Sequence, residues 1–137
     1  MKSDNPYQEA MRYINNANEA LMLAGKEDKY YEDAKYVKSA CGIAYSGLLL
    51  ALDYLFDFKN IPKKKGRKAI DYYQSNLAKI DKRLLKDLNT AYFILHLEGY
   101  YVGQTRIGVI KEGFECALSI KSALNPSLIM DKKIKIS

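Results

Sequence analysis

His96 is the only histidine in the chain, and it limits the chemistry the chain can offer. A catalytic imidazole needs a positioned partner, and an all-protein zinc site needs several nitrogen or sulfur ligands. An HExxH-type site is therefore excluded, and Cys41 and Cys116 are too few to complete a cysteine-ligated one. Both cysteines fall among apolar neighbours and read as buried, reduced thiols, although residue types alone leave a disulfide open. The arginines are Arg12, Arg67, Arg83 and Arg106, and only the last two are near His96 in sequence. Arg83 lies about three and a half helical turns before it, too far to share one small site along the same helix. Arg106 follows it across the break at Gly103. Glu98 could meet Glu112 or Glu115 across two antiparallel helices, but no ExxH pair accompanies them, so no di-metal carboxylate site is expected. Ser39 and Ser46 lack a histidine on their own helix, so serine nucleophile chemistry has no support. The side chains that could surround one cleft are His96, Glu98, Tyr100, Tyr101 and Arg106. No metal and no cofactor is expected.

Charge offers a second possibility. Lys63, Lys64, Lys65, Arg67 and Lys68 cluster after Pro62, and Lys132, Lys133 and Lys135 lie near the C-terminus. Without these eight, the remaining basic residues are slightly outnumbered by the 16 acidic ones, so the net charge of +6 resides in two segments and the body is near neutral. A lysine run beside Pro and Gly is usually a solvated loop; contact with RNA or another phosphate is the sharper alternative. Gly66 has no partner glycine placed to build a Walker-type phosphate cradle. The tyrosine pairs Tyr30-Tyr31, Tyr72-Tyr73 and Tyr100-Tyr101 should each send one ring inward, because helix neighbours point about 100° apart. Base stacking or a protein interface is the other use for such rings.

The element that must position these groups is the stretch from about Tyr30 to Phe58. Val37, Cys41, Ala44, Leu48, Leu52 and Leu55 form one row at helical spacing, and Tyr36, Ala40, Ile43, Gly47, Leu50 and Tyr54 form a second. A helix apolar on most sides is a buried central helix. Its strip of Ser39, Gly42 and Ser46, running on to Leu49 and Asp53, is small enough for another helix to approach closely. That strip serves either tight internal packing or a dimer seam. A first helix should start after Asn5, with Pro6 at its first position and Gly25 beyond its end. A third should cover about Arg67 to Lys79, a fourth should be capped by Asp81, and a fifth should start near Thr105 and stop at Asn125-Pro126. The fourth should end around Gly99 to Gly103. No Asn-Gly or Asp-Gly turn sits between alternating runs, so no hairpin is expected.

The fold class is therefore all-α: an up-down antiparallel, four-helix-type bundle of about five helices. Residues 1–125 should form one domain and 126–137 a partly disordered tail, from which Leu128, Ile129 and Met130 could tuck onto the core. The N-terminus has no signal-peptide core, and the most apolar run, Ile43 to Phe56, is short for a membrane span and carries Asp53. A cytoplasmic protein without a membrane segment is expected.

The run Ala40-Cys41-Gly42-Ile43-Ala44-Tyr45-Ser46-Gly47-Leu48-Leu49-Leu50-Ala51-Leu52 resembles the central helix of HEPN domains, the nucleotide-binding helical family of higher eukaryotes and prokaryotes. Leu85 to Tyr101, followed by a short loop and one amphipathic helix, is similar to that family's second key helix. The resemblance covers roughly Tyr30 to Leu124 and is one of pattern and order. Ribonuclease members carry an Arg, a polar residue, four to six further residues and a His. Here His96-Leu97 stands where Arg and its neighbour would be, and Tyr100 or Tyr101 where the His would be. The resemblance thus implies a degenerate, non-nuclease, small bacterial member: a binding or accessory module, homodimeric, whose partner is a nucleotide, RNA or another protein. The alternatives are a purely structural interaction module and a residual nuclease or nucleotidyltransferase-associated subunit with a cleft around His96.

Overall fold

The computed structural model of the chain describes residues 6–124. Helix α1 spans Pro6–Met22, α2 Ala34–Phe58, α3 Ile70–Ile80, α4 Lys82–Ala91 and α5 Ile107–Ala123. Helix α4 runs without a break into a π-helix over Tyr92–Val102. The result is a helical bundle with one very small hairpin. The expected cap at Asn5, the stop at Asn125-Pro126, the tail residues Leu128, Ile129 and Met130, and Lys132, Lys133 and Lys135 lie outside the described residues.

Helix α2 is the axis. Val37, Cys41, Ala44, Leu48, Leu52 and Leu55 are all fully buried. The second row is mixed: Ala40 and Gly47 are buried, while Tyr36, Ile43, Leu50 and Tyr54 are half-buried against the core. Helix α1 lies along one side of α2, and the π-helix and α5 cover others. By length and apolar content α2, longer than the run Ile43 to Phe56, could cross a membrane, and half of its most apolar window (50%) is buried inside the fold.

Three helix starts differ from the sequence expectation, each for a local reason, and the fourth helix ends where expected but in π register. Helix α2 starts at Ala34, because Asp33 is its cap and accepts from the Lys35 backbone N–H at 3.0 Å. The residues before it form the unexpected hairpin, β1 (Lys26–Glu27) with β2 (Tyr30–Tyr31), turned by Asp28 at φ 57°. Aspartate is one of the few residues that enters the left-handed region at modest cost, so the turn needs no glycine. Helix α3 starts at Ile70, leaving Arg67 and Lys68 in the connection. Helix α4, capped by Asp81 as expected, continues past Gly99 in π register until Gly103, whose φ of 85° closes it. Helix α5 accordingly begins at Ile107.

The hairpin has a structural role. The Tyr31 N–H donates to the Thr105 carbonyl at 2.8 Å and the Ile107 N–H donates to the Lys29 carbonyl at 3.0 Å. The α1–α2 connection is thereby tied to the connection between the π-helix and α5, which fixes the π-helix end against the bundle.

Candidate functional site

Where α2 meets the π-helix, two glycines set the separation. A Cβ on Gly99 would collide with the Cys41 side chain, and one on Gly42 would sit 2.9 Å from Cδ1 of Tyr100. The Tyr100 ring therefore lies down across α2. Below it opens a cleft of about 940 Å³. Ser39, Gly42 and Ser46 form its α2 wall, and Tyr92, His96, Tyr100 and Tyr101 its π-helix wall. Arg67 and Lys68 close a third side, and Tyr13 of α1 reaches in from the opposite one.

His96 is the centre of an aromatic stack. Its ring lies 4.7 Å from that of Tyr45 and 5.4 Å from that of Tyr92, both stacked. Tyr100 is nearly parallel to it at 9° and 6.2 Å, and Tyr101 presents an edge at 4.9 Å. Burial holds the imidazole pKa below its ordinary 6.5, and the charge of Arg67 lowers it further. His96 is therefore neutral at pH 7, and its nitrogens make no hydrogen bond among the described residues.

The cations along the rim differ. The Lys68 ammonium lies 3.0 Å from Oδ1 of Asp53, an oxygen that also accepts from the Tyr73 hydroxyl at 3.0 Å. Arg67 is exposed and has no carboxylate partner among the described residues. No aspartate or glutamate lines the cleft. Its charge is therefore that of one free guanidinium, a planar fork suited to phosphate or carboxylate. Tyr45 and Tyr73 have pKa values raised mainly by burial, so both phenols stay neutral.

The residues singled out by sequence fall into three groups. His96, Tyr100 and Tyr101 share the cleft with Arg67, Lys68, Ser39, Gly42 and Ser46, groups that lie far apart in the chain. Glu98 and Arg106 do not line it. The Glu98 carbonyl accepts the Gly103 and Gln104 N–H groups and closes the π-helix, and Arg106 precedes α5 and bridges to Tyr30. Lys63, Lys64 and Lys65 are exposed beyond the rim, with the Lys64 ammonium 3.3 Å from the Arg67 carbonyl. The strip Ser39, Gly42, Ser46 forms one wall of the cleft, with the Tyr100 ring against Gly42.

Sequence reasoning missed Tyr13, Tyr45, Tyr92 and the approach of Arg67 to His96. The four-residue spacing of Tyr92, His96 and Tyr100 was a usable signal. The Arg67 contact had none, because it comes from a connection without regular structure. Tyr30 is exposed and Tyr31 buried, and Tyr73 is buried beside half-buried Tyr72, as alternation predicts. Tyr100 and Tyr101 both remain exposed, at 45% and 61%, since π register at the helix end turns neither into the core. Both cysteines are free, Cys41 with its thiol pKa pushed up to about 12 by burial. No cluster of potential metal ligands occurs among the described residues.

Comparison with known proteins bears on kinship and fold. No curated protein matches the sequence. A solved structure titled "protein of unknown function from Dyadobacter fermentans" is 43% identical, with a TM-score of 0.80 over 90% of this chain and 97% of that one. The same bundle is thus built in that relative. Residues 5–124 match the family described as Domain of unknown function (DUF5618), and the chain belongs to that family.

Proposed function

We propose that the cleft binds a nucleotide, and that the chain is a non-catalytic, HEPN-like binding or accessory module of the cytoplasm, working as a homodimer. One observation carries this reading: the unpaired Arg67 guanidinium stands beside exposed, stacked aromatic rings in a cleft without carboxylates. A nucleotide offers a flat base for the rings and an anion for the fork. The Ser39 and Ser46 hydroxyls on the same wall supply neutral hydrogen-bonding groups for a sugar. The exposed Phe93, Tyr101 and Val102 of the π-helix provide apolar surface for self-association or for a protein partner.

The test is calorimetric titration with AMP and with a short single-stranded RNA at low and moderate salt. Arg67→Ala and Tyr100→Ala should each weaken AMP binding by about tenfold or more, consistent with loss of one charge-assisted or stacking contact. Undiminished binding in both variants, or no binding by the parent protein, would remove the reading.

A second reading, residual ribonuclease activity, draws on the same approach of Arg67 to a neutral His96. General-base chemistry usually needs a third group to orient the imidazole. His96 has only ring contacts, which favours binding over cleavage. Cleavage of the RNA that disappears in His96→Ala would reverse that preference.

A further inference from the structure

The connection from Lys59 to Ala69 has no regular structure and is exposed over residues 62–67. An arginine on such a segment would sample many positions unless something holds the backbone beside it. Besides backbone bonds at its ends, from the Ile61 N–H to the Phe56 carbonyl at 2.9 Å and from the Tyr72 N–H to the Ala69 carbonyl at 3.1 Å, two weak side-chain ties occur among the described residues: the Tyr72 hydroxyl lies 3.5 Å from the Pro62 carbonyl, and the Lys64 ammonium 3.3 Å from the Arg67 carbonyl. Both are exposed, where such contacts contribute little.

The strong tie is at Asp53, which contacts Lys68 and does not itself line the cleft. Tyr73 is 2% exposed, its ring stacks on Phe56 at 5.8 Å, and its hydroxyl donates to Asp53. A buried, packed tyrosine on α3 thus fixes a carboxylate on α2. That carboxylate in turn holds Lys68, the residue next to Arg67, in a contact where both side chains are about two-thirds covered. A pair of this kind loses less to solvent than a surface pair. Asp53 also neutralises Lys68, so the rim keeps one free cation and not two.

We infer that Asp53 is a positioning residue for the anion-binding edge of the cleft: through Lys68 it places Arg67 beside His96, without touching the ligand itself. The inference deepens the nucleotide reading and rests on it for its binding assay, but its placement of Arg67 has a readout that needs no ligand.

Two variants test it. Asp53→Asn keeps size and an acceptor for Tyr73 but removes the charge that holds Lys68. Lys68→Met keeps the aliphatic stem and removes the partner. Each should weaken AMP binding about tenfold, and the double variant should be no worse than either, since the two act as one unit. The ligand-free readout is the titration of His96, followed by proton NMR. In Asp53→Asn, departure of Arg67 should move it up toward 6.5, whereas a freed but stationary Lys68 would move it down. The upward shift supports the inference even if AMP does not bind. An unchanged or downward shift overturns it, as does tighter AMP binding in Asp53→Asn. A fall in melting temperature with the His96 titration and AMP affinity unchanged assigns Asp53 to stability alone.

Discussion

Gly42 and Gly99 are both glycines for reasons of contact, yet their replacement should have different consequences. An added methyl at Gly42 meets the Tyr100 ring, an exposed side chain that can swing away. Gly42→Ala should leave melting nearly unchanged and weaken AMP binding, because the ring no longer lies parallel to His96. The same methyl at Gly99 meets buried Cys41 and, at 3.2 Å, the Ile94 carbonyl. Gly99→Ala should cost about 1–3 kcal/mol in denaturant unfolding, the usual range for overpacking. His96 carries a pH signature whose sign follows from its lowered pKa. The unfolded chain takes up the proton near 6.5 and the folded one only below that. The His96 contribution is therefore fully retained above 6.5 and is lost as pH falls through the folded value. His96→Gln should flatten that part of the acid profile. Affinity for AMP should instead rise as pH falls below 6.5, since an imidazolium adds a second cation to the cleft.

Among the elements, α2 and the π-helix divide stability from function. Leu48 is fully buried at the middle of α2, and Leu48→Ala should cost roughly 2–5 kcal/mol by urea unfolding. His96→Ala, at a half-exposed site, should cost about 1 kcal/mol from lost stacking. Eleven residues of π register are unusual, because such segments mostly occur as single turns and often at functional sites. Here that register carries the aromatic wall of the cleft. Its far end is held at Gly103 and by the strand contacts to Thr105 and Ile107.

For the whole molecule, the measurable quantities are mass and salt response. The proposed homodimer should scatter light with a mass near twice 15.6 kDa. Tyr101 lines the cleft and is followed by exposed Val102, so a dimer surface that included both would couple dimer formation to AMP binding. Val102→Glu should lower the mass to that of one chain. Binding of single-stranded RNA should fall with salt more steeply than binding of AMP if Lys63, Lys64 and Lys65 take part, and Arg67 alone would give a shallow dependence for both.

The apolar rows of α2, the Asp81 cap and the lone histidine were legible from residue types, because burial, capping and ligand chemistry depend on local pattern. The helical bundle followed from them. Tertiary structure decided what periodicity could not. The turn at Asp28 and the starts of α2 and α3 depended on single caps and backbone states. The close approach of the π-helix to α2 depended on Gly99 fitting over Cys41, a contact between elements far apart in the chain. The cleft depended on both, and on an irregular connection held by Asp53 that brings Arg67 to His96. Periodicity reports which face of a helix is buried; it carries no information about where an exposed loop crosses that face. The sequence alone therefore determined the bundle, while only packing between α2, the π-helix and the loop brought the residues of the cleft together.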